Sequence, residues 1–189
     1  MKHLIRRYSF YLSIFLVFAC GSKHSETTKF DHQLFSIEYP SSWEKIQEDG
    51  VILAISKYSK LNAVAHSQNP NLIIVSQDSL YALQYGMKNF EEFIEGFKKN
   101  QTNKDHITLS EDTKSVFING NELKQMKYEV LNNDMMFLQS QYSFSNMGQY
   151  VSIIITHELG STNHELQDIL ESLEIHSIEP IGTLFDDQL

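Results

Sequence analysis

The strongest constraint on this fold is an alternation of side chains that runs, interrupted only at turns, from Val116 to Thr156. A period of two places successive side chains on opposite faces of a strand. Val116-Phe117-Ile118 leads into Asn119-Gly120, a strong hairpin signal. Met126, Tyr128 and Val130 then alternate with Gln125, Lys127 and Glu129. Asn132-Asn133-Asp134 turns the chain, and Met136, Leu138, Ser140 and Tyr142 alternate with Phe137, Gln139 and Gln141. Asn146-Met147-Gly148 turns it again, and Tyr150 to Thr156 closes the series. Turns this short join antiparallel neighbours, so residues 116–156 are predicted to form a meander.

Further strands are predicted upstream. Phe35, Ile37 and Tyr39 alternate with Ser36 and Glu38 and stop at Pro40, which cannot donate to a ladder. Val51 to Ser56 reads as a short apolar strand. Leu72 to Ser76 is a continuous apolar run, as expected of a central strand covered on both faces. Two segments change to helical spacing. Phe90, Phe93, Ile94 and Phe97 follow i, i+3, i+4, i+7, with Asn89 as cap and Glu92 as its capping-box partner. Leu166, Ile169, Leu170 and Leu173 repeat the pattern, with Thr162 as cap and Glu165 as its capping-box partner. Each helix has one apolar face and must pack on the sheet. The predicted class is α+β: an α/β/α sandwich of roughly six to eight antiparallel strands with two main helices.

The charge balance narrows the partners. Fifteen basic residues against 24 acidic ones leave a net charge of −9, which offers no electrostatic footprint for nucleic acid. One Cys, Cys20, allows neither an internal disulfide nor a Cys-rich zinc site. A hydrophobic share of 41% with 21% charged residues is that of a globular chain.

Lys2, Arg6 and Arg7 precede the apolar run Tyr8 to Ala19, which is too short to span a bilayer and fits the h-region of an export signal. It ends in Val17-Phe18-Ala19-Cys20-Gly21-Ser22. That stretch resembles the lipobox of bacterial lipoproteins, with Phe18 where a small residue is usual. The resemblance implies cleavage before Cys20, diacylglycerol on its sulfur and an acylated amino terminus. An ordinary secretory signal and an uncleaved anchor are the alternatives. Cleavage would remove three positive charges and take the net charge from −9 to −12. The expected organisation is a signal peptide over 1–19, a lipidated Cys20 with a flexible tether over 20–29, one domain over 30–178 and an acidic tail over 179–189. Gly21 and Ser22 carry no acidic retention signal of the lipoprotein kind. The expected location is therefore the cell envelope, at the periplasmic face of an outer membrane if there is one.

The order of elements resembles the PsbP-like and DcrB-like superfamily. The resemblance rests on Tyr39-Pro40-Ser41-Ser42-Trp43, the apolar strand before a Phe-rich helix, the meander ending in Tyr150 to Thr156, and Ser172-Leu173-Glu174-Ile175. It implies a membrane-anchored accessory protein that acts on an envelope protein partner, with no shared catalytic site. A small-molecule or metal-binding module using a sheet–helix cleft is the alternative. Trp43 is expected to plug one end of the core.

Little else points to chemistry. Ser42-x-x-Lys45 lacks the companion motifs of penicillin-interacting enzymes. His157 and His164 are weak metal candidates: they lie seven residues apart across Gly160, not at the i, i+4 spacing of a helical site. His24, His32, His66, His106 and His176 show no ligand spacing. Glu91, Glu92 and Glu95 read as a solvated helix face, and Phe90, Phe93 and Phe97 as core. No cofactor motif is present. A partner surface is expected on the least regular stretches, Asn62 to Asn71 and Asp78 to Lys88.

Overall fold

A computed structural model describes residues 26–58, 70–161 and 163–176. The signal segment, Cys20, most of the first irregular stretch, Thr162 and the acidic tail lie outside these residues. The strands are β1 (Thr27–His32), β2 (Phe35–Pro40), β3 (Glu44–Ile46), β4 (Leu53–Ser56), β5 (Asn71–Asp78), β6 (Ile107–Ile118), β7 (Asn121–Asn132), β8 (Met135–Asn146), β9 (Gln149–Glu158) and β10 (Glu174–Ile175). The helices are α1 (Ser79–Gln84), α2 (Phe90–Thr102) and α3 (His164–Glu171).

Seven strands form one antiparallel sheet in the order β3-β4-β5-β9-β8-β7-β6. The predicted meander is its larger half, though β6 begins at Ile107, well before the apolar triplet that marks it in the sequence. Residues 107–114 alternate half-buried with exposed positions, and the register shifts between Leu109 and Lys114. This is an edge strand with a weak apolar face. Each hairpin turn of the meander has two residues with positive φ: Asn119-Gly120, Asn133-Asp134 and Met147-Gly148. That backbone suits the right-handed twist of the strands on either side.

Of the second sheet, β1-β2-β10, the period-two pattern predicts only β2. β1 takes in Thr27 to Lys29, which read as tether in the sequence. They are ordered by pairing Thr27↔Pro40, Thr28↔Tyr39 and Lys29↔Glu38.

The faces of the large sheet carry separate cores. On one, Leu72↔Ile155 and Ile74↔Ile153 are paired neighbours. They pack with Phe35 and Ile37 of β2 and Leu166, Ile169 and Leu170 of α3. Trp43 is 4% exposed in the same cluster, so it fills the core as expected. On the other face, Phe93 and Ile94 of α2 and Ala82 of α1 cover Met126, Tyr128 and Tyr150. The helices therefore lie on both sides of the sheet, the predicted α/β/α sandwich. Each fully buried Leu, Ile or Phe contributes about 1.5–3 kcal/mol.

The two ends of the sheet differ. Glu26 lies at the end that carries Ser56 and Asn71, because its carbonyl accepts from the Ser41 amide (2.8 Å) and Glu44↔Ser56↔Asn71 are in register. At the opposite end Asp78 pairs with Gln149, and the Asn146 side chain donates to the carbonyls of Leu34 (2.9 Å) and His176 (2.8 Å). β5 has 8 residues, so these ends are roughly 25 Å apart at about 3.3 Å per residue.

Candidate functional site

α1 leaves the end of β5 that is far from Glu26. Asp78 caps it, accepting from the amides of Leu80 (2.7 Å) and Tyr81 (3.4 Å). The Ser79 amide donates to Gly148 O at 2.9 Å, which ties the helix to the β8–β9 turn. Only Ala82 is buried. Leu80 is 71% exposed, Tyr81 49%, Leu83 52% and Tyr85 63%. Leu80 lies on the side of the helix opposite Ala82, Tyr81 and Leu83 flank it, and Tyr85 follows at the C-cap; Met147 in the adjoining turn is also exposed. Their exposure does nothing for the fold, and apolar patches of this kind mark contact surfaces.

Two of the four are held in place. The Tyr81 and Tyr85 rings are 4.9 Å apart and their hydroxyls share a 2.8 Å hydrogen bond. That bond raises the Tyr81 pKa above its ordinary value. The i, i+4 spacing brings the rings together. The surface so formed is apolar with two phenolic oxygens, a composition common in protein contacts.

A second feature lies at the same end. A groove of about 370 Å³ runs between the start of α2 and the β6–β7 hairpin, with Phe90, Glu91, Asn121, Glu122, Lys124, Phe144, Ser145 and Ile175 along it. A third, of about 430 Å³, lies at the other end beside Lys57, Glu158, Ser161, His164 and Glu165.

The residues singled out in the sequence are placed as follows. Cys20, the lipid-attachment candidate, lies outside the described residues. The Nδ1 of His157 is 3.0 Å from Glu158 O and 3.3 Å from Ser161 Oγ. His164 opens α3 and lines the groove of about 430 Å³. Among the described residues, no three His, Cys, Asp or Glu side chains converge on a point where a metal could bind. Ser42 is exposed, and the Lys45 ammonium lies 5.0 Å from the Phe30 ring. Asn89 caps α2 as predicted, accepting from the Glu92 amide at 2.9 Å. The Glu92 carboxylate instead takes the Lys88 amide at 2.7 Å, one residue before the expected partner. Asn163 caps α3 by accepting from the Leu166 amide at 3.3 Å.

Of the two stretches flagged for partner binding, Asp78 to Lys88 becomes α1. The exposed residues within it were not individually legible, although one signal was available. Leu80, Tyr81, Ala82, Leu83 and Tyr85 surround a six-residue helix, and such a helix can bury only one side. The groove residues Glu122 and Lys124 have no sequence signal beyond strand alternation.

The described residues form an α/β/α domain of the PsbP-like fold. The solution structure of CyanoP, the cyanobacterial PsbP of Synechocystis, superposes with a TM-score of 0.51 at 12% identity, covering 82% of this chain and 96% of CyanoP. LpqN of Mycobacterium tuberculosis, a protein involved in cell envelope biogenesis, superposes with a TM-score of 0.50 at 12% identity, over 82% of this chain and 93% of LpqN. A Bacteroides thetaiotaomicron crystal structure aligns with 79% of this chain at 14% identity and a TM-score of 0.48, and the chain spans 48% of that protein's length. No family model and no curated protein matches the sequence. At these identities the likeness is one of fold.

Proposed function

We propose that this protein is a lipid-anchored accessory protein of the bacterial envelope that binds a protein partner through α1. The carrying observation is the exposure of Leu80, Tyr81 and Leu83 on one short helix and of Tyr85 at its C-cap. Cys20 is the attachment point, held to diacylglycerol through its sulfur. With a second acyl group on its amino terminus, such an anchor is stable, whereas one chain binds only marginally. The short run from Cys20 to Glu26 reaches at most about 21 Å, and Glu26 lies at the end of the sheet opposite α1. The apolar helix therefore faces away from the anchoring membrane, toward other envelope proteins. No catalytic role is assigned, and LpqN's part in envelope biogenesis supports this setting by analogy of fold alone.

The test is a quantitative pull-down from envelope extracts with the acylated chain and its Leu83→Ser/Tyr85→Ser double variant. Both side chains are exposed, so the variant's stability is expected within about 0.5 kcal/mol of the parent. Recovery of the same partner by the parent, reduced at least tenfold by the variant, is the expected result. Equal recovery by both would refute the role of α1. Mass spectrometry of the mature amino terminus checks the anchor, and an unmodified Cys20 thiol would contradict it.

A further inference from the structure

The groove beside α2 has a floor and rim of different chemistry. Its volume of about 370 Å³ lies within the roughly 300–1,000 Å³ range of ligand sites. Phe90, Phe144 and Ile175 give it an apolar base, and Glu91, Glu122 and Lys124 form its charged rim. The Lys124 ammonium lies 3.4 Å from Glu91 Oε1 and 3.8 Å from Glu122 Oε1. One cation is thus shared between two carboxylates, at distances longer than the roughly 2.7–2.9 Å of a close charged hydrogen bond. One negative charge is left over. Lys124 also donates to Ser115 Oγ, and Ser115 Oγ donates to Glu122. Glu91 and Glu122 are 66% and 52% exposed, so an incoming group can reach both.

Phe117 completes the arrangement. It is 73% exposed and stands directly opposite Glu122 in the β6–β7 pair. Side chains so paired share one face of the sheet, with Cβ atoms about 4.5–5.5 Å apart. An open aromatic ring beside a carboxylate suits a side chain with an apolar stem and a cationic head.

We infer that this groove receives an arginine or lysine side chain, and an apolar neighbour, from the protein partner. The stem lies along Phe117, the cationic head sits between Glu91 and Glu122, and the apolar neighbour rests on Phe90 and Phe144. This rests on the partner-binding reading and names the partner's chemistry. Charge at this end of the molecule favours it: Asp78, Glu91, Glu92, Glu122 and Glu171 outnumber Lys88 and Lys124. The chain's own C-terminus is the wrong occupant, because residues 177–189 carry Glu179, Asp186 and Asp187 and no Lys or Arg.

The test uses the full chain, ¹⁵N-labelled in detergent micelles, titrated with the end-capped pentapeptides LRFRL and LEFEL. LRFRL is expected to shift the amides of Phe90, Asn121, Glu122 and Ser145 and to bind at least tenfold tighter than LEFEL. Glu122→Gln should weaken LRFRL at least threefold. Lys124→Gln should tighten it, because the competing ammonium is gone; a purely structural role for Lys124 predicts no tightening. Equal binding of the two peptides, no binding, or weaker binding by Lys124→Gln would overturn the inference. Shifts confined to α1 would overturn the groove while sparing the α1 reading. Groove binding alongside an unchanged pull-down by the α1 double variant would overturn the α1 reading alone.

Discussion

Met147 is exposed at a backbone position that disfavours it. It sits at φ 49° in the β8–β9 turn, where a left-handed backbone costs a non-glycine residue about 1–2 kcal/mol. The same position in the other two meander turns is filled by Asn, the residue that tolerates this conformation best. Met147→Asn is therefore expected to stabilise the fold by about 1 kcal/mol, read as a higher denaturation midpoint, while removing apolar surface beside α1. Glu111 makes the opposite kind of contribution. Lys114 and Lys127 each donate to its carboxylate at 2.7 Å, and they lower its pKa from the ordinary 4.5 to about 2. A carboxylate with a depressed folded pKa stabilises the native state above its unfolded pKa, and loses that contribution as pH falls through the folded value. Its exposure limits the effect to about 0.5–1 kcal/mol. Glu111→Gln should flatten the loss of melting temperature between pH 4.5 and about 2, and an unchanged acid limb would remove this pair from the account.

The helices divide by how much of their sequence is used for packing. α2 and α3 each present a stripe at helical spacing, and each is buried along it: Phe93 and Ile94 in one, Leu166, Ile169 and Leu170 in the other. Both were legible because a 3.6-residue apolar period leaves few alternatives. The cap of α2 was legible for the same local reason. Asn89→Ala should cost about 0.5–2 kcal/mol in equilibrium unfolding. α1 was not legible as a helix. Its six residues hold no full period, and Ala82 is its only buried side chain. What fixes it is tertiary: the bond from Ser79 to Gly148, and the Asp78 cap that Gln149 also contacts at 3.2 Å. β1 escaped for a related reason. Thr27, Thr28 and Lys29 have no apolar pattern, and only the partner strand β2 makes them a strand. Thr162 was read as the α3 cap, yet Asn163 one residue later supplies the oxygen. A cap depends on a φ/ψ change that neighbouring polar residues mark equally well.

At the scale of the whole molecule, the two cores and the direction of the sheet decide what faces where. The main sheet, its meander and its helix-covered faces follow from alternation and helical spacing, and the PsbP-like superposition agrees with them. The exposed side of α1 and the groove beside α2 do not follow from sequence. They arise where β5, the β8–β9 turn and the β6–β7 hairpin meet at one end, and their residues are far apart in the chain. Glu26 lies at the other end, so the proposed anchor and the proposed partner surface stand at opposite ends of the molecule. The most direct test places a photoreactive amino acid at Leu83, and separately at Lys45 near the Glu26 end, in intact cells. The account predicts a cross-link from position 83 to an envelope protein other than this chain, with position 45 giving none to that protein. Cross-linking of position 83 to lipid alone, or equal cross-linking of the same protein from both positions, would contradict it.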